Sequence, residues 1–141
     1  MKCLAFGSIL LAGLALVAEE LRTAPVITRI YTGTDGQTHA EAVVTKFGAP
    51  VNLREQSETR NVANSHFVRF APGRVDNWHP ASASRYLITL TGRGEVEIFG
   101  GQKIPLEPGR ILQVEDLTGQ GHITRTIGQT DWTVLEVQFG E

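Results

Sequence analysis

Cysteine is all but missing from this 141-residue chain. The only one, Cys3, lies in an apolar run at the amino terminus, so no thiol follows it. A disulfide staple, a cysteine nucleophile and a zinc–thiolate centre are therefore excluded from the rest of the chain. A charge excess is missing too. Thirteen Lys and Arg stand against fifteen Asp and Glu, a net charge of −2. This argues against a nucleic-acid partner, which calls for a basic stripe, and against a polybasic membrane-surface module. Helical periodicity is also lacking: after Pro25 no window of about 12 residues repeats its apolar positions at helical spacing. There is no phosphate-cradling glycine loop, dinucleotide fingerprint or nucleophile-elbow serine. Gly92-Arg93-Gly94 stands alone and reads as a turn.

What is present begins with residues 3–18, of which 13 of 16 are apolar and none is charged. Lys2 precedes the run and Glu19-Glu20 follow it. This resembles a secretory signal peptide over residues 1–18, cleaved after Ala15 or Ala18. The run is short of the roughly 20 residues that a spanning helix needs. The expectation is a secreted or periplasmic protein with no membrane attachment after cleavage. Its domain covers residues 25–141, enough for one modest core.

Beyond Pro25 short β runs alternate with turn signals. Strands are expected at 26–31, 43–47, 66–70, 85–91, 95–99, 103–106, 110–114, 121–127 and 132–139, with a polar surface loop over 52–64. Gly92-Arg93-Gly94 joins two of them as a hairpin. Nine or so short strands at regular spacing imply an all-β sandwich or barrel.

Two segments carry a family resemblance. Gly73 is followed by five residues and His79, and Gly92 lies seven positions after Arg85. Pro108-Gly109 opens a later strand, and His122 follows the loop Glu115-Asp116-Leu117-Thr118-Gly119-Gln120-Gly121. This frame resembles the two motifs of the cupin superfamily. Trp78-His79-Pro80-Ala81, the Glu-Asp-x-Thr-Gly-x-Gly-His loop, Tyr31-Thr32-Gly33 and Asp35-Gly36-Gln37-Thr38-His39 are similar to a subgroup of small stand-alone members. The resemblance implies a double-stranded β-helix, or jelly-roll, barrel and a homodimer. It also implies a metal site of three histidines and one glutamate, of which only His79 and His122 are matched. Ala81 stands at a histidine position, Arg85 at the glutamate position and Thr126 at an asparagine position. A guanidinium beside a divalent cation is repulsive, which disfavours a metal on His79 and His122 unless His39 or Asp116 adds a ligand.

The candidate catalytic residues are His79 and His122, because imidazole moves protons near neutral pH. Read as one strand, residues 79, 81 and 85 share parity, which puts Arg85 on the inward face with His79. A buried guanidinium needs a carboxylate, and Glu115, Asp116 or a substrate group are the candidates. Arg85, His39, Asp116 and Trp78 are the candidate substrate-binding residues. Glu115 and Asp116 can also orient an imidazole. His66 is expected to be structural or exposed, Glu95 and Glu97 to face solvent, and Trp132 to pack in the core or at the barrel mouth. The favoured activity is isomerase, dehydratase or lyase chemistry on a small anionic molecule. The alternatives are a binding protein without turnover and a metal-dependent oxygenase with an atypical ligand set.

Overall fold

The computed structural model describes residues 25–140. The expected signal peptide and its cleavage points lie outside the described residues. Ten strands follow in order: β1 (Val26–Thr32), β2 (Thr38–Val44), β3 (Val62–Phe70), β4 (Val75–His79), β5 (Arg85–Thr91), β6 (Gly94–Ile98), β7 (Gln102–Leu106), β8 (Ile111–Glu115), β9 (His122–Thr126) and β10 (Trp132–Phe139). A 3-10 turn, Phe99–Gly101, links β6 to β7.

The strands form two sheets, ordered β2-β1-β8-β5-β10-β3 and β4-β9-β6-β7. All pairings are antiparallel except β1 with β8. Strands β3 to β10 alone give β3-β10-β5-β8 facing β4-β9-β6-β7. Chain-adjacent strands β3/β4 and β5/β6 thus lie in different sheets, the interleaving of a jelly roll. The amino-terminal hairpin β1–β2 widens the larger sheet beyond β8.

Alternation places the core between the sheets. On β5 and β10 the inward positions Leu87, Thr89, Trp132 and Val134 are buried, and on β6 and β7 so are Val96, Ile98, Ile104 and Leu106. Each large apolar side chain so buried stabilises the fold by about 1.5–3 kcal/mol. Trp132 stacks on Phe70 at 4.8 Å between centroids, and its indole N–H donates to Thr89 Oγ1. Gly94 makes room for that indole: a Cβ there would lie 2.5 Å from the ring.

Several expectations need correction. The strand expected at 43–47 is β2, which begins at Thr38 and ends at Val44, because its register is set by pairing with β1 down to Thr32↔Thr38. The polar loop ends sooner than expected: Val62, Ala63 and Asn64 already belong to β3, whose polar residues are exposed and whose backbone pairs with β10. Residues 79 and 85 do not share a strand. β4 ends at His79, residues 80–84 cross between the sheets, and β5 starts at Arg85. Glu95 and Glu97 face outward as expected, and both pair there with Arg125.

Candidate functional site

His79 and His122 are directly opposed in the β4–β9 pair. Their ring centroids are 4.7 Å apart, with the planes tilted by 54°. Between Asp76 and His79 the register slips, so three steps on β4 span two on β9. This bulge lets both Asp76 and His79 reach the interior and leaves Trp78 39% exposed.

The loop carrying His122 is held by close backbone approaches. Gly121 has φ +76°, and a Cβ there would overlap the carbonyl oxygen of His79. Gly119 has the same φ and abuts the carbonyl of Gly36 in the β1–β2 turn. The Ala81 N–H donates to the Asp116 carbonyl at 2.9 Å, tying the 80–84 crossing to the same loop.

Each imidazole has one nitrogen committed. His79 Nδ1–H donates to the backbone carbonyl of Asn77 at 2.6 Å. His122 Nδ1–H donates to Asp116 Oδ2 at 2.6 Å, with both side chains almost wholly buried. The same carboxylate oxygen accepts from Thr38 Oγ1 at 3.0 Å. Asp116 Oδ1 makes no hydrogen bond with the described residues. In both rings, Nε2 is the atom left to meet a ligand.

The two rings line one cavity of about 210 Å³ between the sheets. Leu87, Val114 and Trp132 form apolar wall, and Arg85 and Glu136 stand on the larger sheet. Arg85 donates from Nε to the Ala83 carbonyl at 3.1 Å, from one terminal nitrogen to Glu136 Oε2 at 3.0 Å and from the other to Ser82 Oγ at 2.6 Å. Three of its five N–H groups are thereby used.

The carboxylate beside Arg85 is Glu136, not the expected Glu115 or Asp116. Glu115 lies on the outer side, bonded to Arg29 and Gln113. Asp116 orients His122 from behind and does not line the cavity. His39 and Trp78 do not line it either. His39 sits on β2 next to the β1–β2 turn, bonded to Asp35 at 3.0 Å, and holds that carboxyl below the usual aspartate range. Sequence reasoning missed Glu136 and Asp76. For Glu136 the signal was present, since Trp132, Val134 and Glu136 alternate along β10. His66 is exposed but lies 3.5 Å from Glu136 Oε2, across the β3–β10 pair.

This donor set does not fit a resident divalent metal. His79 and His122 offer two neutral nitrogens, Ala81 offers nothing, and Arg85 brings a cation to the position of the family glutamate. The two cavity carboxylates are each tied to an arginine, Asp76 to Arg74 and Glu136 to Arg85. Among the described residues no group of three or more His, Cys, Asp or Glu converges on one point.

The fold is of cupin type. The strand order carries this, together with the spacing of Gly73, His79, Gly92 and His122. Solved structures similar to the chain include the Cnp3 cupin domain of Schizosaccharomyces pombe, at 14% identity and TM-score 0.47, covering 82% of this chain and 88% of that one. Another is a putative ethanolamine utilization protein Q from Salmonella typhimurium, at 16% identity and TM-score 0.43, covering 83% and 97%. A third is a cupin-2 domain containing protein from Shewanella frigidimarina, at 17% identity and TM-score 0.42, covering 62% and 86%. Likeness at this level says nothing of activity. No family model matches the chain, and no curated protein matches it in sequence.

Proposed function

We propose that the cavity is the active site of a proton-transfer enzyme acting on a small carboxylate that can form an enolate. The observation that carries this reading is the pair of imidazoles on one cavity with both Nδ1 atoms already bonded. That leaves two Nε2 atoms, the proton-moving positions, beside the same ligand. A cavity of about 210 Å³ suits a small metabolite.

The two rings have unequal partners, which supports unequal roles. The imidazolium formed when His122 takes up a proton lies against the Asp116 carboxylate, so His122 is the base that removes a proton from carbon. The electron pair left behind moves onto the adjoining carbonyl or carboxylate oxygen. The two uncommitted N–H groups of Arg85 are the donors for that developing charge. His79, backed only by a carbonyl, returns a proton from Nε2 when it enters the cycle protonated. Delivery to a neighbouring carbon gives isomerisation, and delivery to a departing hydroxyl gives dehydration.

A panel of small 2-oxo, 2-hydroxy and 3-hydroxy carboxylates tests the reading by calorimetry and by NMR of the product mixture. Conversion abolished by His79→Gln or His122→Gln is the expected result. Tight binding of a panel member without conversion would replace the enzyme with a capture protein.

A further inference from the structure

The amino-terminal hairpin looks at first like a mere extension of the larger sheet. Besides pairing with β8, its turn end touches the loop that carries His122. Thr32 Oγ1 donates to the Thr118 carbonyl at 3.1 Å and lies 3.4 Å from the Thr118 N–H. The Gly36 carbonyl abuts Gly119. Thr38, 1% exposed, donates its hydroxyl proton to Asp116 Oδ2, the same oxygen that receives His122 Nδ1–H.

We propose that Thr38 is a positioning residue for His122, acting through Asp116. This rests on the reading of His122 as the proton-accepting group. Asp116 is wholly buried, and its other oxygen has no partner among the described residues. Rotation of the carboxyl is therefore restrained from the hairpin side by the Thr38 hydroxyl alone. With that hydroxyl in place, Oδ2 is held where Nδ1–H must point, and the Nε2 atom faces the cavity. Without it, the carboxyl has an equal choice of two oxygens, and the ring loses its fixed direction. Charge-assisted bonds of this kind are short and directional, which is what a positioned base requires. Valine has nearly the shape of threonine but lacks the hydroxyl, so Thr38→Val separates the bond from the packing.

The test reads the His122 ring directly by NMR on the full-length protein with nitrogen-labelled histidine, and needs no substrate. A buried Nδ1–H bonded to carboxylate gives a slowly exchanging downfield resonance. In Thr38→Val it should broaden or disappear, and Thr38→Ser should restore it, while the His79 ring keeps its signals in both. Thr38→Ala, which cannot clash, should match Thr38→Val if the latter folds poorly. Thr32→Val loosens the hairpin–loop junction without touching Asp116 and should leave the resonance in place. An unchanged resonance in Thr38→Val or Thr38→Ala would overturn the proposal, as would its loss in Thr32→Val. An absence of turnover on every substrate would instead count against the enzymatic reading and leave this readout intact.

Discussion

His79 and His122 stand directly across a strand pair with their rings 4.7 Å apart, yet one Nδ1–H meets a neutral carbonyl and the other a buried carboxylate. Two like side chains are thereby made unlike by their partners. Asp116 creates the difference, so its removal should be felt in stability as well as chemistry. Asp116→Ala strands the buried donors of His122 and Thr38, at about 1–3 kcal/mol each. The thermal midpoint should fall by several degrees or more, with a smaller fall for Asp116→Asn, which keeps one acceptor oxygen. An Asp116→Ala melt that overlays the parent would contradict the bonding described.

Glycine substitutions should separate backbone strain from backbone collision. Gly101 and Gly121 have nearly equal positive φ, +77° and +76°, but a Cβ at Gly101 meets nothing within 4 Å. Gly101→Ala should therefore destabilise by about 1–2 kcal/mol, the left-handed penalty alone. Gly121→Ala must also push the His79 carbonyl away, so it should lose more stability and shift the His79 and His122 ring resonances. Equal effects at the two positions would be the contrary result.

Much of the fold was legible because period-two alternation and glycine turns are local signals. β5 and β10 have the expected bounds for that reason, and the Gly73–His79–Gly92 spacing located the first imidazole. The site was less legible where long-range pairing decides. The parity argument that joined His79 to Arg85 treated a sheet-crossing segment as one strand. The two residues still share a cavity, because β4 and β5 face each other from opposite sheets. Trp78 was misplaced by a bulge, and bulges leave no periodic trace. Thr38 and Asp116 are 78 positions apart and meet only because β1 pairs with β8.

The two tryptophans provide an optical check on where ligands enter. Trp132 is buried and lines the cavity, whereas Trp78 is partly exposed and does not. A small carboxylate that binds should alter the emission of a Trp78→Phe variant as strongly as that of the parent. A response that disappears with Trp78 would move the ligand site to the outer face of β4.

Asp35 should titrate below the ordinary aspartate value of about 3.9, chiefly because His39 hydrogen-bonds its carboxylate and secondarily because of the Gln37 N–H. A depressed folded-state value contributes stability above the unfolded value, and that contribution is lost as pH falls through the depressed one. In His39→Ala, the Asp35 midpoint followed by carbon NMR should rise toward the ordinary value. No movement would show that the His39 contact is not what lowers it.

The central claim is that His79 and His122 move protons on a ligand held in the cavity between the sheets. It is tested most directly by deuterium exchange: proton NMR in heavy water of a small carboxylate shown to bind, with parent protein, His79→Gln, His122→Gln and the double variant. The account predicts protein-dependent exchange at the carbon next to the carbonyl or carboxylate, with at least a tenfold loss in His122→Gln and complete loss in the double variant. Exchange that persists in the double variant, or a bound ligand that never exchanges with the parent protein, would contradict it.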